Sequence, residues 1–198
     1  IMGAMHRKTR YNIRLSRRRG VTVSPGTPEE LGRWYSIYEQ TMRRNHTRVH
    51  EERFFDALLE AGKHQEKVPP RARTDIELFL AEQDGTLRSG MILALQGDYA
   101  LYLYGASSNR GRESMSTYLL QWEAMRFARS AGCTRYDLSG IPGDEHPGHP
   151  MHGLLRFKSG FGGRHIVRRG CWDYPLLPEE YNRFAGFELT EAGYHGSR

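Results

Sequence analysis

Ile76-Glu-Leu-Phe-Leu-Ala-Glu-Gln-Asp-Gly-Thr-Leu-Arg-Ser-Gly-Met-Ile-Leu-Ala-Leu-Gln-Gly-Asp-Tyr-Ala-Leu-Tyr-Leu-Tyr104 reads as three strands joined by tight turns. Asp84-Gly85 separates Ile76–Gln83 from Ser89–Gln96, and an Asp-Gly pair tolerates the positive φ that a hairpin turn demands. Gly97-Asp98 turns the chain again into Tyr99–Tyr104. Strands joined this closely form an antiparallel meander. Tyr102 and Tyr104, two apart, are expected on one face of the third strand.

Helices are expected before and after the meander. Residues 7 to 19 form a short one, with Tyr11, Ile13 and Leu15 among arginines and Gly20 as its stop. Val21-Thr-Val23 starts a strand. Thr27 caps a helix that opens with Pro28, Glu29 and Glu30 and carries Leu31, Trp34, Ile37, Tyr38 and Thr41 as an apolar stripe. Another helix spans about Glu51 to Ala61, and residues 62 to 74 form a basic loop with two prolines. Ser116 to Ala131 is an amphipathic helix, Tyr136-Asp-Leu138 a short strand, Gly140 to Met151 a loop, and Ile166 to Tyr174 a last strand. From Glu179 a helix and a frayed tail are expected. The class is α/β, a mixed central β-sheet flanked by helices. That element order is the one expected of the acyltransferase (GNAT-like) fold shared by Gcn5-related N-acetyltransferases. Residues 1–5 read as an artificial leader or an internal start, 6–185 as one domain and 186–198 as a tail.

The 198 residues are 38% hydrophobic and 26% charged, with a mean hydropathy of −0.69. That suits a soluble domain, without a membrane span or a signal peptide. Cys133 and Cys171 are too few for a disulfide framework and suit a reducing cytoplasm. The net charge is +6, from 29 Lys+Arg against 23 Asp+Glu. Much of it is N-terminal: Arg7, Lys8, Arg10, Arg14, Arg17, Arg18 and Arg19 precede the first acid, Glu29. Such a field favours a polyanionic partner, nucleic acid, a nucleotide-linked substrate or an anionic membrane face. A solvated basic helix face accounts for the run equally well.

One cation stands apart. Gly153-Leu-Leu-Arg-Phe-Lys-Ser-Gly-Phe-Gly-Gly163 holds Lys158 among four glycines and two phenylalanines, and is expected to be a sharp bend. Leu154, Leu155, Phe157 and Phe161 would anchor the bend on the core. A lysine placed that accurately suits an anion forming in a transition state.

Lys8-Thr-Arg-Tyr-Asn-Ile-Arg14 with Arg19-Gly-Val21, Tyr104-Gly-Ala-Ser-Ser108, the Trp122 helix, Gly132 with Tyr136-Asp-Leu-Ser-Gly-Ile141, and Gly153–Gly163 follow one another in an order that resembles the FemABX family. These are non-ribosomal peptidyltransferases that extend peptidoglycan precursors from aminoacyl-tRNA. The resemblance covers roughly residues 7 to 175 and implies the second, C-terminal GNAT-like domain, with a partner N-terminal GNAT-like domain missing. It implies catalysis by Lys158 as countercharge and Phe157 as the residue setting the backbone at the acyl site. It also implies Arg44, in Thr41-Met-Arg-Arg44, on the diphosphate of UDP-MurNAc-pentapeptide or lipid II. Arg43 and Arg48 lie near enough to share that role, and a surface arginine accounts for the segment equally well. Tyr102 or Tyr104 would hydrogen-bond the substrate or else belong to the core. Arg14, Arg17 and Arg18 would grip tRNA phosphates; no cofactor and no stable DNA complex are implied. The setting would be the cytoplasm or the inner membrane face.

Asp137, before Ser139-Gly140, fits a turn cap at least as well as a general base. His146, His149 and His152 are spaced like metal ligands, but Pro147 and Pro150 suit a loop over the acceptor better, so no metal is expected. Ser108–Ser116 has one glycine and the acid Glu113 where a CoA pyrophosphate would need a glycine-rich cradle. A CoA-dependent N-acyltransferase and a non-catalytic tRNA-binding module are the two rival readings.

Overall fold

The computed structural model describes residues 1–69, 72–143, 146–167 and 173–190. The chain divides into two units, Ile1–Arg164 and His165–Arg198. The first is built on a five-stranded sheet in the order β1-β2-β3-β4-β5. Its strands are β1 Thr22–Pro25, β2 Asp75–Gln83, β3 Thr86–Gln96, β4 Tyr99–Ser107 and β5 Arg135–Asp137. The first four pair antiparallel, and β5 joins β4 in parallel. The β2–β3 turn is the expected one, with Asp84 at φ 50° and Gly85 at φ 69°.

Among the described residues of this unit the α-helices are α1 Arg7–Arg18, α2 Leu31–Arg44, α3 Glu52–Lys63, α4 Ser116–Ser130 and α5 His152–Ser159. Alternation along the strands sorts side chains into two cores. Phe79, Ala81, Met91 and Leu93 face one way, with Ile13 of α1 and Leu119, Leu120 and Ala124 of α4. Leu78, Leu80 and Ile92 face the other way, onto Leu31, Trp34, Ile37 and Tyr38 of α2 and Phe55 and Leu59 of α3. Buried Trp34 stacks on Tyr38 at 5.1 Å and meets Phe55 edge-on at 4.9 Å. Met5 is buried in the first core, so the first residues are part of the packed unit.

Two expectations are corrected. Residues 153–163 are mostly helix: α5 runs to Ser159, and of the three later glycines only Gly162 has positive φ, +78°. Leu154, Phe157 and Phe161 fall at helical spacing, and that periodicity outweighs the glycine count. Tyr102 and Tyr104 lie on opposite faces of the sheet. Tyr104 is opposite Ile92 and Tyr102 opposite Leu93, so Leu103 is an extra residue, a β-bulge. Tyr102 therefore packs on the first core and Tyr104, with Leu103, on the second.

In the second unit, α6 spans Pro178–Thr190, opens with Glu179 and Glu180, and exposes Phe184 and Phe187. The strand expected over 166–174 centres on residues 168–172, which lie outside the described residues, as does Cys171.

Candidate active site

The Lys158 side chain is only 7% exposed relative to solvent, the one lysine among the buried residues described. α5 brings it inward on the face that also buries Leu155. Its ammonium donates to the Gly140 carbonyl oxygen at 2.7 Å. It also lies 5.7 Å from the centre of the Tyr102 ring, within cation–π range. Burial lowers its pKa from the ordinary lysine value to about 8, a fall opposed by the negative charge of Asp137. At pH 7 such a group is still about nine-tenths protonated. The site thus holds a desolvated cation, the form in which a charge acts most strongly on an anion beside it.

The two sides of this seat come from the place where the sheet divides. β5 pairs with β4 only as far as Leu101 and Asp137. Beyond that point Tyr102 continues along β4, while the other chain turns through Ser139, at φ 63°, to present the Gly140 carbonyl. Asp137 makes that turn: its Oδ1 accepts the Ser139 N–H at 2.6 Å, the turn-capping role read from sequence. Its Oδ2 accepts from the Tyr99 hydroxyl. Below, the Tyr136 hydroxyl donates to buried Gln121 at 2.8 Å. Burial raises the Tyr102 phenol to about 12 and Tyr136 well above its ordinary value, so both remain protonated at neutral pH.

Phe157, adjacent in sequence, points elsewhere. It meets Tyr118 edge-on at 5.1 Å and Phe161 at 5.3 Å. There it walls a cavity of about 440 Å³ that Arg88, Ser107, Ser108, Arg112 and the first residues of α4 also line. α4 opens without a side-chain cap. Lys158 is not among the residues lining that cavity, so the two adjacent candidates serve different surroundings.

Arg44 makes its bonds within the chain. Its guanidinium donates to the Ser107 carbonyl at 3.1 Å, the Ser107 hydroxyl at 3.0 Å and the Asn109 side chain. Thr41 receives the Ser107 N–H at 2.9 Å, so the Thr-Met-Arg-Arg segment ties α2 to the end of β4. Burial, then the nearby charge of Arg112, lowers the Arg44 pKa. Arg48 is exposed in the loop between α2 and α3. Tyr104 sits among Phe55 at 5.1 Å, His50 at 5.7 Å and Phe54 at 6.0 Å. Of these, Tyr104 packs on the core opposite Tyr102.

On α1, Arg14, Arg17 and Arg18 are exposed. Arg17 pairs with Glu123 of α4, which also takes Arg126 at 2.9 Å. Arg18 stands 5.8 Å over the Tyr11 ring. His146 and His149 each use Nδ1 to accept a loop N–H, from Gly148 and Met151. The features that sequence reading missed are the Gly140 carbonyl and Tyr99. A main-chain acceptor leaves no trace in residue type, whereas Tyr99 could have been found by pairing the first residues of β4 with Asp137.

The sequence model of the FemAB family matches residues 1–69 and 77–188. A lipid II:glycine glycyltransferase of Staphylococcus epidermidis is 37% identical over 106 residues, 54% of this chain and 26% of that protein. One of Staphylococcus aureus is 34% identical over 105 residues, 52% of this chain and 25% of that protein. The chain thus spans about a quarter of the length of these curated relatives in the matched region. Among solved structures, FemX superposes with a TM-score of 0.73 at 21% identity, over 82% of this chain and 55% of that one. An aminoglycoside acetyltransferase from a soil metagenome superposes at 0.52 and 11% identity, over 78% of this chain and 97% of that one. The fold is therefore the GNAT-like one expected from the element order.

Proposed function

Because the chain belongs to the FemAB family, we propose that it is the GNAT-like catalytic domain of an aminoacyltransferase that lengthens a peptidoglycan precursor. The donor in this reading is aminoacyl-tRNA and the acceptor an amine of the precursor's stem peptide, on UDP-MurNAc-pentapeptide or lipid II. A second GNAT-like domain would complete the acceptor groove, and the reaction would take place in the cytoplasm or at the inner membrane face.

The observation that carries the reading is the buried Lys158 ammonium, fixed between a carbonyl and an aromatic face. The neutral amine adds to the ester carbonyl carbon, and negative charge collects on the carbonyl oxygen. Lys158 neutralises that oxygen, a contribution of about 3 kcal/mol in sites of this kind. The C–O bond to the ribose then breaks, and the proton lost by the amine ends on the ribose hydroxyl. The ester is already activated, so no nucleophilic side chain is needed. Phe157, at the neighbouring cavity, shapes the approach of the donor. Arg44, Arg48, Tyr102 and Tyr104 are the acceptor-side candidates, and Arg14, Arg17 and Arg18 the donor-side ones.

The test is transfer of a radiolabelled amino acid from charged tRNA to UDP-linked or lipid-linked precursor, by the domain together with its partner domain. Lys158→Met is expected to lower the rate about 100-fold or more; transfer at the wild-type rate would remove Lys158 from the mechanism. Acetyl-CoA binding in a calorimeter, with no transfer from tRNA, would favour the rival CoA-dependent acyltransferase. The α4 cavity with Arg88 and Arg112 is the feature that keeps that rival in play.

A further inference from the structure

We propose that Asp137 is the positioning residue for Lys158, acting both through the turn that aims the Gly140 carbonyl and through its own negative charge. This rests on the aminoacyltransferase reading for its purpose, though not for its test. The carboxylate is itself fixed at both oxygens, by the Ser139 N–H and the Tyr99 hydroxyl. Such double anchoring exceeds what a surface turn needs. The bond to Ser139 holds a non-glycine residue in the left-handed region, at φ 63°, a conformation that persists where the surroundings impose it. One residue later the Gly140 carbonyl meets the ammonium at 2.7 Å. A single side chain thus sets the place of the cation's acceptor while favouring its charged form.

The groups facing the ammonium are few. β4 supplies the Tyr102 ring and β5 supplies Asp137. Arg135, near by in sequence, is paired with Asp98 at 2.7 Å and lies over Tyr99. Among the described residues, Asp137 is the charge that acts on Lys158.

The chain has four lysines, so each 13Cε resonance can be followed against pH on the protein without substrate, Lys158 being assigned by its loss in Lys158→Met. Asp137→Asn keeps an oxygen for the Ser139 N–H and removes the charge. Its Lys158 midpoint is expected to fall by on the order of 1 pH unit, with the alkaline limb of the transfer rate moving by the same amount. Ser139→Gly keeps the carboxylate and is expected to keep the wild-type midpoint. If circular dichroism shows the asparagine variant unfolded, Asp137→Ser supplies a second uncharged acceptor for the turn. A wild-type midpoint in the uncharged variant overturns the proposal and leaves Asp137 a turn cap. Because the titration needs no donor or acceptor, a protein without transfer activity could still show the shift, so the two readings fail separately.

Discussion

A lysine with a pKa of about 8 loses its charge just above neutral pH. If the charged form is the active one, transfer should fall as pH rises through about 8, well below the range in which an exposed lysine deprotonates. A rate–pH profile with no alkaline limb before pH 10 would contradict this. Gly162 offers a second test. A Cβ there would overlap the Ala4 carbonyl oxygen, and its φ of +78° is strained for any other residue. Gly162→Ala should therefore cost about 3 kcal/mol, read from denaturant unfolding. The close holding of Lys158 was legible in its apolar neighbours, as was the need for a glycine near by. Its helical setting was not, because four glycines in eleven residues hid the spacing of Leu154, Phe157 and Phe161. The Asp137 turn was legible from Asp-Leu-Ser-Gly, but its link to a lysine some twenty residues later was not.

The meander, α2 and α4 could be read in order and kind, with ends off by about three residues, since alternation, stripe and turn chemistry agreed with one another. The bulge at Leu103 could not: Tyr-Leu-Tyr alternates as well as any strand, and only the register against β3 reveals the extra residue. The basic N-terminal helix was legible as a helix and as charge, but its ion pairing was not. Arg17 spends part of its charge on Glu123, whereas Arg14 has its side chain exposed on α1. If tRNA lies along this helix, Arg14→Gln should reduce the slope of log affinity against log salt by about 1. Arg17→Gln should reduce it less. Equal slopes for both variants, measured by filter binding, would place the RNA elsewhere.

Over the whole molecule, the buried cation is a cost to the fold. Its pKa is lowered on folding, from 10.5 to about 8, so between those values the unfolded chain binds more protons and stability rises with pH. Below pH 8 the penalty is present in full, about 3 kcal/mol. Replacing the lysine by methionine removes it, at the loss of one hydrogen bond to the half-open Gly140 turn. Lys158→Met should accordingly melt higher than wild type at pH 7, by an amount that shrinks as pH approaches 10, as calorimetry at several pH values would show. A lower melting temperature at pH 7 would mean that the ammonium stabilises the fold.

One extra residue in a strand has a topographic consequence. With Leu103 inserted, the side chains of Tyr102 and Tyr104 fall on opposite faces of the sheet, just past the last β4–β5 pair, Leu101 with Asp137. A molecule lying on one face of the sheet could meet one of the two rings but not both. Of the two rings, only that of Tyr102 stands beside the Lys158 ammonium, so a substrate bound there would have Tyr102 and not Tyr104 within reach.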